Sequence, residues 1–352
     1  MNIIHVVTNA EKVNFGIWNA ALLGTAYAKD VQHANSELWV CDGEVSVKIE
    51  APVNVRLLHG KSVADAIKDI TMFPVNDTVI VTHGCWGKPT KIGSGCREKG
   101  YAWIYTPHGM LEPWSMSQKA LKKKIYWNLI EKGKTAKAGF VRSVSMVENK
   151  NLVNIFSQPV VNVYNGVQLS PFQPKLENEK ITFLFMARLH LKKGIGELVE
   201  AWKHEMTNNA KFELIIAGPD DGELNNLQPH IGGNIKYVGP VYGDEKRKLL
   251  KESHYYILPS KSEGFPTSVI EAMSYGMIPV ISKGCNFPDV FEKQLGYEVG
   301  EDVESVRAVL AGIRSVQWND TLSKSNYAYV KNHFSEEVLG EQLYNLYKEA
   351  LK

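Results

Sequence analysis

Along the first half of the chain, short apolar runs alternate with segments whose apolar residues recur every three or four positions. Residues 3–7 read as a strand, and Ile17, Ala20, Ala21, Leu23, Gly24 and Ala28 as one helix packed closely on a sheet. Residues 38–41, 53–58 and 78–82 supply further strands, a helix is expected over 63–70, and strands at 103–106 and 160–164 follow. The pattern restarts at 181–186, 212–217 and 235–241, with a helix over 195–202 and a terminal helix over 334–352. Strand–helix alternation of this kind predicts an α/β protein with parallel sheets. Residues 169–180 interrupt the pattern with Pro171, Pro174 and a run of charge. We therefore expect a first domain over 1–168, a linker over 169–180 and a second domain over 181–333.

The stretch 259–282 is the most informative. Gly264 and Pro266 interrupt it, Ser268 and Glu271 have capping-box spacing at a helix start, Gly276 closes that helix, and 277–281 resumes as a buried strand. Glu263 and Glu271 therefore lie on either side of a glycine-containing loop at a helix start. Free N–H groups near Phe265, Pro266, Thr267 and Ser268 would receive an anion there, while the two carboxylates accept hydrogen bonds from hydroxyls. Hydroxyls on either side of a phosphate describe a nucleotide sugar. The plainer alternative makes Glu271 a helix cap and Glu263 a solvated loop charge.

Composition narrows the class. With 352 residues and 44% hydrophobic content the chain is long enough for two ordinary globular domains, and neither disordered nor fibrous. The first residues read as a strand rather than a leader, and no apolar run approaches the roughly 18 residues of a membrane span. Cysteines at 41, 85, 96 and 285 lack zinc-site spacing and are too few for a disulfide scaffold, so reduced thiols in a cytoplasmic protein are expected. The formal charge of +2 hides an asymmetry: residues 1–170 carry 19 Lys and Arg against 13 Asp and Glu, so the first half is the one to face something anionic.

Much of that excess lies in 119–137, which has seven lysines against Glu131, with Leu121, Ile125 and Leu129 at helical spacing. Two readings stay open: a basic amphipathic helix on an anionic, peripheral membrane surface, or a solvated helix whose apolar side packs on its own domain. No nucleic-acid motif accompanies the lysines. The first turn, residues 8–16, has no G-x-G-x-x-G, which argues against a dinucleotide cofactor. His108 follows a strand end and precedes Gly109, where open α/β sheets place ligands.

The motif Ser262-Glu263-Gly264-Phe265-Pro266 with Glu271-Ala272-Met273 and Gly276-x-x-Pro279-Val280 resembles the E-x7-E signature of retaining glycosyltransferases of family 4. Further matches stand in the expected order at 106–111, 165–167, Ala187-Arg188-Leu189 with Lys193-Gly194, and 217–219. The resemblance implies the GT-B fold, two Rossmann-like domains facing each other across a cleft, with the terminal helix of about 334–352 returning to the first. It implies a metal-independent sugar transfer from a UDP- or GDP-sugar to a glycan or lipid-linked acceptor in polysaccharide biosynthesis (O-antigen, capsule or similar), with no cofactor. Arg188 and Lys193 would bind the diphosphate, Glu263 the donor sugar, Glu271 the ribose, and backbone near Val238 the base. His108 would contact the transferred sugar, and Gly16 would line the cleft, although many members have two adjacent glycines where this chain has Phe15-Gly16. Alternatives are a GT-B sugar-nucleotide epimerase, transfer to a small soluble acceptor, or a catalytically silent GT-B partner subunit.

Overall fold

The computed structural model describes all residues except 12–14, 44, 46–48, 50, 176–179, 208 and 264, and leaves the side chains at 15, 16 and 19 undescribed as well. The chain divides into two units, Met1–Gly166 with Phe334–Lys352, and Val167–His333.

The first unit is built on seven parallel strands: β1 Asn2–Val7, β2 Asn35–Val40, β3 Asn54–Leu57, β4 Thr78–His83, β5 Ala102–Thr106, β6 Phe140–Ser143 and β7 Val160–Asn162. They lie in the order β3-β2-β1-β4-β5-β6-β7. Helices cover both faces, which is why β1 and β4 read as nearly continuous apolar runs. Ile4, Val6, Trp39, Ile80 and Trp103 fill one face, and Val7, Leu38 and Val40 join Trp18 and Ala21 on the other. The helix Val63–Ile70 forms where its pattern predicts, closed at its start by a capping box between Ser62 and Asp65.

The single helix expected from Ile17 to Ala28 is instead two, Phe15–Leu22 and Thr25–Asp30. Gly24 breaks it, with φ +78° in the left-handed region. The cause is tertiary. The terminal helix Glu336–Ala350 crosses here, and a Cβ on Gly24 would stand 3.0 Å from the Cα of Gly340.

The second unit holds six parallel strands: β8 Ile181–Met186, β9 Phe212–Ala217, β10 Ile235–Gly239, β11 Tyr255–Leu258, β12 Ile278–Ile281 and β13 Tyr297–Glu298. Their order is β10-β9-β8-β11-β12-β13. Phe183 stacks on Tyr255 with ring centroids 4.6 Å apart and meets the buried Trp202 of helix Ile195–Glu205 edge-on. The expected linker is partly tied to this unit: Tyr327 donates to the Ser170 carbonyl at 3.0 Å, and Lys175 Nζ to the carbonyls of Leu250 and Lys251.

In both sheets the strand order reverses beside the first strand, between β1 and β4 and between β8 and β11. Open α/β sheets bind ligands beyond the carboxyl ends of the strands at such points.

The basic segment is helical over Ala120–Tyr126, Trp127–Glu131 and Lys132–Thr135, with one π-helical turn in the middle. Its inward side is not the stripe the sequence suggests. Trp127 packs on Trp86 and Phe156, and the buried Glu131 accepts from the Thr90 hydroxyl at 2.7 Å and the Trp86 N–H at 3.1 Å. Leu121, Ile125 and Leu129 face outward, 75%, 50% and 78% exposed, among the exposed Lys122, Lys124 and Lys132. No helix among the described residues is long and apolar enough to cross a membrane.

Candidate functional site

In the second unit the chain leaves β8 through Arg188 and turns at Leu191–Lys193 into Gly194, whose φ is +70°. A Cβ at Gly194 would stand 2.3 Å from the Pro259 carbonyl oxygen, so glycine is what lets the loop after β8 rest on the loop after β11. Backbone and hydroxyl hydrogen bonds join the two loops: Lys261 N–H and Ser260 Oγ both donate to the Lys192 carbonyl, at 2.8 and 3.1 Å.

This seam places Lys193 Nζ 2.6 and 2.7 Å from the two carboxylate oxygens of Glu263. Their side chains are only 15% and 13% exposed. Arg188 is exposed and pairs with Asp221 at 3.1 Å. Burial lowers Lys192 to about 8, opposed by the Glu263 carboxylate and assisted by Lys193 and Arg188, so these four charges share one field.

Gly218 brings in a third loop: its φ is +147°, and a Cβ there would lie 1.9 Å from the Ala187 carbonyl oxygen. Gly218 N–H donates to the Gly239 carbonyl at 2.8 Å. Beside it, the register of β10 against β9 slips between Tyr237 and Gly239, leaving Val238 bulged and 39% exposed.

The expected capping box at Ser268 and Glu271 does not form. The helix begins earlier, as Thr267–Met273, with Pro266 at its N-cap and no side-chain cap, so Ser268 already lies in the first turn. Thr267 N–H donates to the Phe265 carbonyl at 2.9 Å, leaving the loop N–H groups a smaller share in receiving an anion than the sequence suggested. Glu271 pairs instead with Lys246 at 2.7 Å, from the helix Gly243–Glu252. Burial pushes the Tyr256 phenol up, against a hydrogen bond with Ser268, and Glu263 and Glu271 push it further, so both carboxylates lie around this ring. Gly264 lies outside the described residues.

In the first unit His108 follows β5 with φ +54°. Its Nε2 is 2.9 Å from His83 Nδ1, and the two rings stack with centroids 5.1 Å apart. Glu148 holds the turn, accepting from Gly109 N–H at 2.6 Å and from Val144 N–H at 2.7 Å. Burial raises Glu148 to about 7, and burial with the charge of Arg142 lowers His108 to about 3. Gly16 lies in the helix Phe15–Leu22, and its surroundings are not described.

Two participants escape the sequence reading. His83 ends β4 just as His108 follows β5, and a polar residue closing a buried strand beside the switch point was the available signal. Lys246 sits in the charged run Asp244-Glu245-Lys246-Arg247-Lys248, and nothing in that run marks it out.

Residues 167–332, nearly all of the second unit, match the family described as glycosyl transferases group 1. The chain is 24% identical over 208 residues to the phosphatidylinositol N-acetylglucosaminyltransferase gpi3 subunit of Schizosaccharomyces pombe, covering 57% of this chain and 43% of that protein. It is 27% identical over 148 residues to the capsular polysaccharide biosynthesis glycosyltransferase CapH of Staphylococcus aureus, covering 40% of this chain and 41% of that one. These matches span less than half the length of either curated relative. Among solved structures, HepE of Anabaena in complex with UDP and glucose shares the fold, with a TM-score of 0.75 at 15% identity over 99% of this chain and 100% of that one. The match to the group 1 glycosyltransferases lies in the second unit, and the two Rossmann-like units share the GT-B fold.

Proposed function

We propose that this protein is a retaining glycosyltransferase of the family 4 kind, moving a sugar from a UDP- or GDP-sugar to a glycan or lipid-linked acceptor in polysaccharide biosynthesis. The observation that carries the reading is the Lys193–Glu263 pair at the β8/β11 switch point, with Arg188 in the same field. A nucleoside diphosphate is already a fair leaving group, so the protein's task is to position the acceptor and meet charge on the departing β-phosphate. Arg188 brings a planar fork and Lys193 a compact charge to those oxygens. Once Lys193 turns toward phosphate, the Glu263 oxygens it held accept hydrogen bonds from sugar hydroxyls, while Glu271 takes the ribose hydroxyls and backbone near Val238 flanks the base. His108 is assigned to the transferred sugar.

Retention follows if the acceptor oxygen attacks on the leaving-group face. The new bond forms from acceptor oxygen to the anomeric carbon, the bond to the β-phosphate oxygen breaks, and that phosphate takes the acceptor proton. The carboxylates have hydroxyl-binding roles here, and a glycosidase-like covalent intermediate would need one aimed at the anomeric carbon. The reading is metal-independent: Arg188 and Lys193 would supply the charge that meets the diphosphate.

For the acceptor, the outward Leu121, Ile125 and Leu129 among lysines fit an anionic lipid surface that carries a lipid-linked acceptor. The relatives support the same class: CapH is a capsular polysaccharide glycosyltransferase by name, and HepE was crystallised with UDP and glucose. A thermal-shift panel of nucleotides and sugar nucleotides tests the donor. A ligand at 100 times its Kd stabilises by about 2.7 kcal/mol, and the reading fails if every UDP- and GDP-sugar leaves the melting curve unmoved.

A further inference from the structure

Three histidines from three elements of the first unit stand in line. His5 on β1 places Nδ1 3.1 Å from His83 Nε2, and His83 at the end of β4 places Nδ1 2.9 Å from His108 Nε2. His5 and His83 are fully enclosed, 2% and 1% exposed. The groups around them are Arg142, Tyr347 and, through Gly109, Glu148. The Arg142 guanidinium is directed to the Val163 and Tyr164 carbonyls and Asn165 Oδ1, and its charge disfavours a second cation nearby. Burial, with Arg142, lowers His5 to about 3. Tyr347, from the terminal helix, meets the His5 ring edge-on at 6.2 Å.

A neutral imidazole has one N–H donor and one acceptor nitrogen. His83 has a histidine at each nitrogen, so it donates through one and accepts through the other, and both hydrogen bonds run in the same direction. If they run toward His108, all three rings carry their proton on Nδ1; if they run toward His5, all three carry it on Nε2. His108 Nδ1 is then a donor in the first case and an acceptor in the second. We propose that His83 and His5 are positioning residues that fix the tautomer and ring orientation of His108, the chain of two hydrogen bonds behaving as one unit. The consequence for turnover rests on the reading of His108 as the residue facing the transferred sugar; the chain itself does not.

The first test needs no substitution. In protein labelled with 15N at histidine, long-range 1H–15N correlation at pH 7 assigns the proton of each ring. Three neutral rings protonated on the same nitrogen are expected; a mixture of tautomers, or an imidazolium among the three, overturns the proposal. The second test compares His83→Phe, which removes both bonds, with His83→Gln, whose amide can still donate and accept. His83→Phe should lower kcat about tenfold, the scale of one oriented hydrogen bond, with KM for the donor unchanged, and His83→Gln should recover part of the loss. Wild-type turnover in His83→Phe, while His108→Ala is impaired, overturns the positioning role. Full turnover in His108→Ala would instead remove the sugar-facing reading, and the ring-proton measurement would decide the chain by itself.

Discussion

The two units present the same strand order and the same switch point, yet they equip it in opposite ways. At the β8/β11 point the groups are charged, partly exposed and paired: Lys193 with Glu263, Lys246 with Glu271, Arg188 with Asp221. At the β1/β4 point they are mutually hydrogen-bonded imidazoles, His5 and His83 enclosed and His108 half-buried, all turned away from the charged form by burial. Ion pairs near a surface exchange partners at small cost, because what a cation loses in one carboxylate it regains in a phosphate. Buried neutral rings cannot exchange; they fix direction. The second unit is thus suited to capturing an anion and the first to presenting one oriented group.

The sharpest way to break this comparison is Lys193→Met. Removing one preorganised cation from the departing phosphate should lower kcat by about 10² to 10³, measured with the donor identified by thermal shift. If Lys193→Met turns over normally, the second unit's charges are structural and the contrast collapses. Next is Gly194→Ala, which forces a Cβ toward the Pro259 carbonyl and strains a left-handed residue. A loss of about 1–3 kcal/mol in unfolding free energy is expected by chemical denaturation. Donor turnover should fall with it, because the Lys193–Glu263 seam opens.

Acid sharpens the other side. An unfolded chain protonates its histidines below about pH 6.5, whereas His5 and His108 stay neutral in the fold to about 3. Stability present above the unfolded value is therefore lost as pH falls from 6.5 toward 3. Glu148 works against this, since its folded value is raised to about 7 and it gains stability as pH falls through that value. Burial raises Glu112 and Glu131 as well, yet the large shifts are those of Glu148 and the three imidazoles, so the melting temperature should drop between pH 6.5 and 5. A shallower slope is expected in His83→Phe, and an unchanged slope would show that these rings do not resist charging.

Much of this was legible in the sequence where local and tertiary demands agree. The strands Ile181–Met186 and Phe212–Ala217 and the helix Val63–Ile70 fall where their patterns put them, because each buries the stripe its own period creates. Gly24 carries no local sign of its turn, because the reason for it, the approach of Gly340, lies more than 300 residues away. Leu121, Ile125 and Leu129 show the reverse: helical spacing identifies a face but not which face turns inward, and here Trp127 and Glu131 take the inner side. Glu263 and Lys193 were nameable as a pair of candidates; their hydrogen bond depends on the seam at Gly194, which no local pattern describes. Pro266 moved the helix start and dissolved the expected cap at Ser268, and that freed Glu271 for Lys246.

Two smaller effects divide the work of that last carboxylate. Glu271→Gln should weaken donor binding about tenfold with kcat unchanged, the signature of contacts equal in ground and transition states, and a 2′-deoxy nucleotide should be affected less. Lys246→Met should do the opposite and do it weakly. With Lys246 and Glu271 only 20% and 26% exposed at 2.7 Å, the pair is stronger than a fully solvated one, yet any ribose must share Glu271 with it. Releasing the carboxylate should tighten nucleotide binding by a few-fold, about 0.5–1 kcal/mol, in isothermal titration at low salt. The gain should shrink at high salt, where screening already loosens the pair in the wild type. Should Lys246→Met instead weaken binding as much as Glu271→Gln does, Lys246 touches the nucleotide itself, and the second unit captures its anion with three cations rather than two.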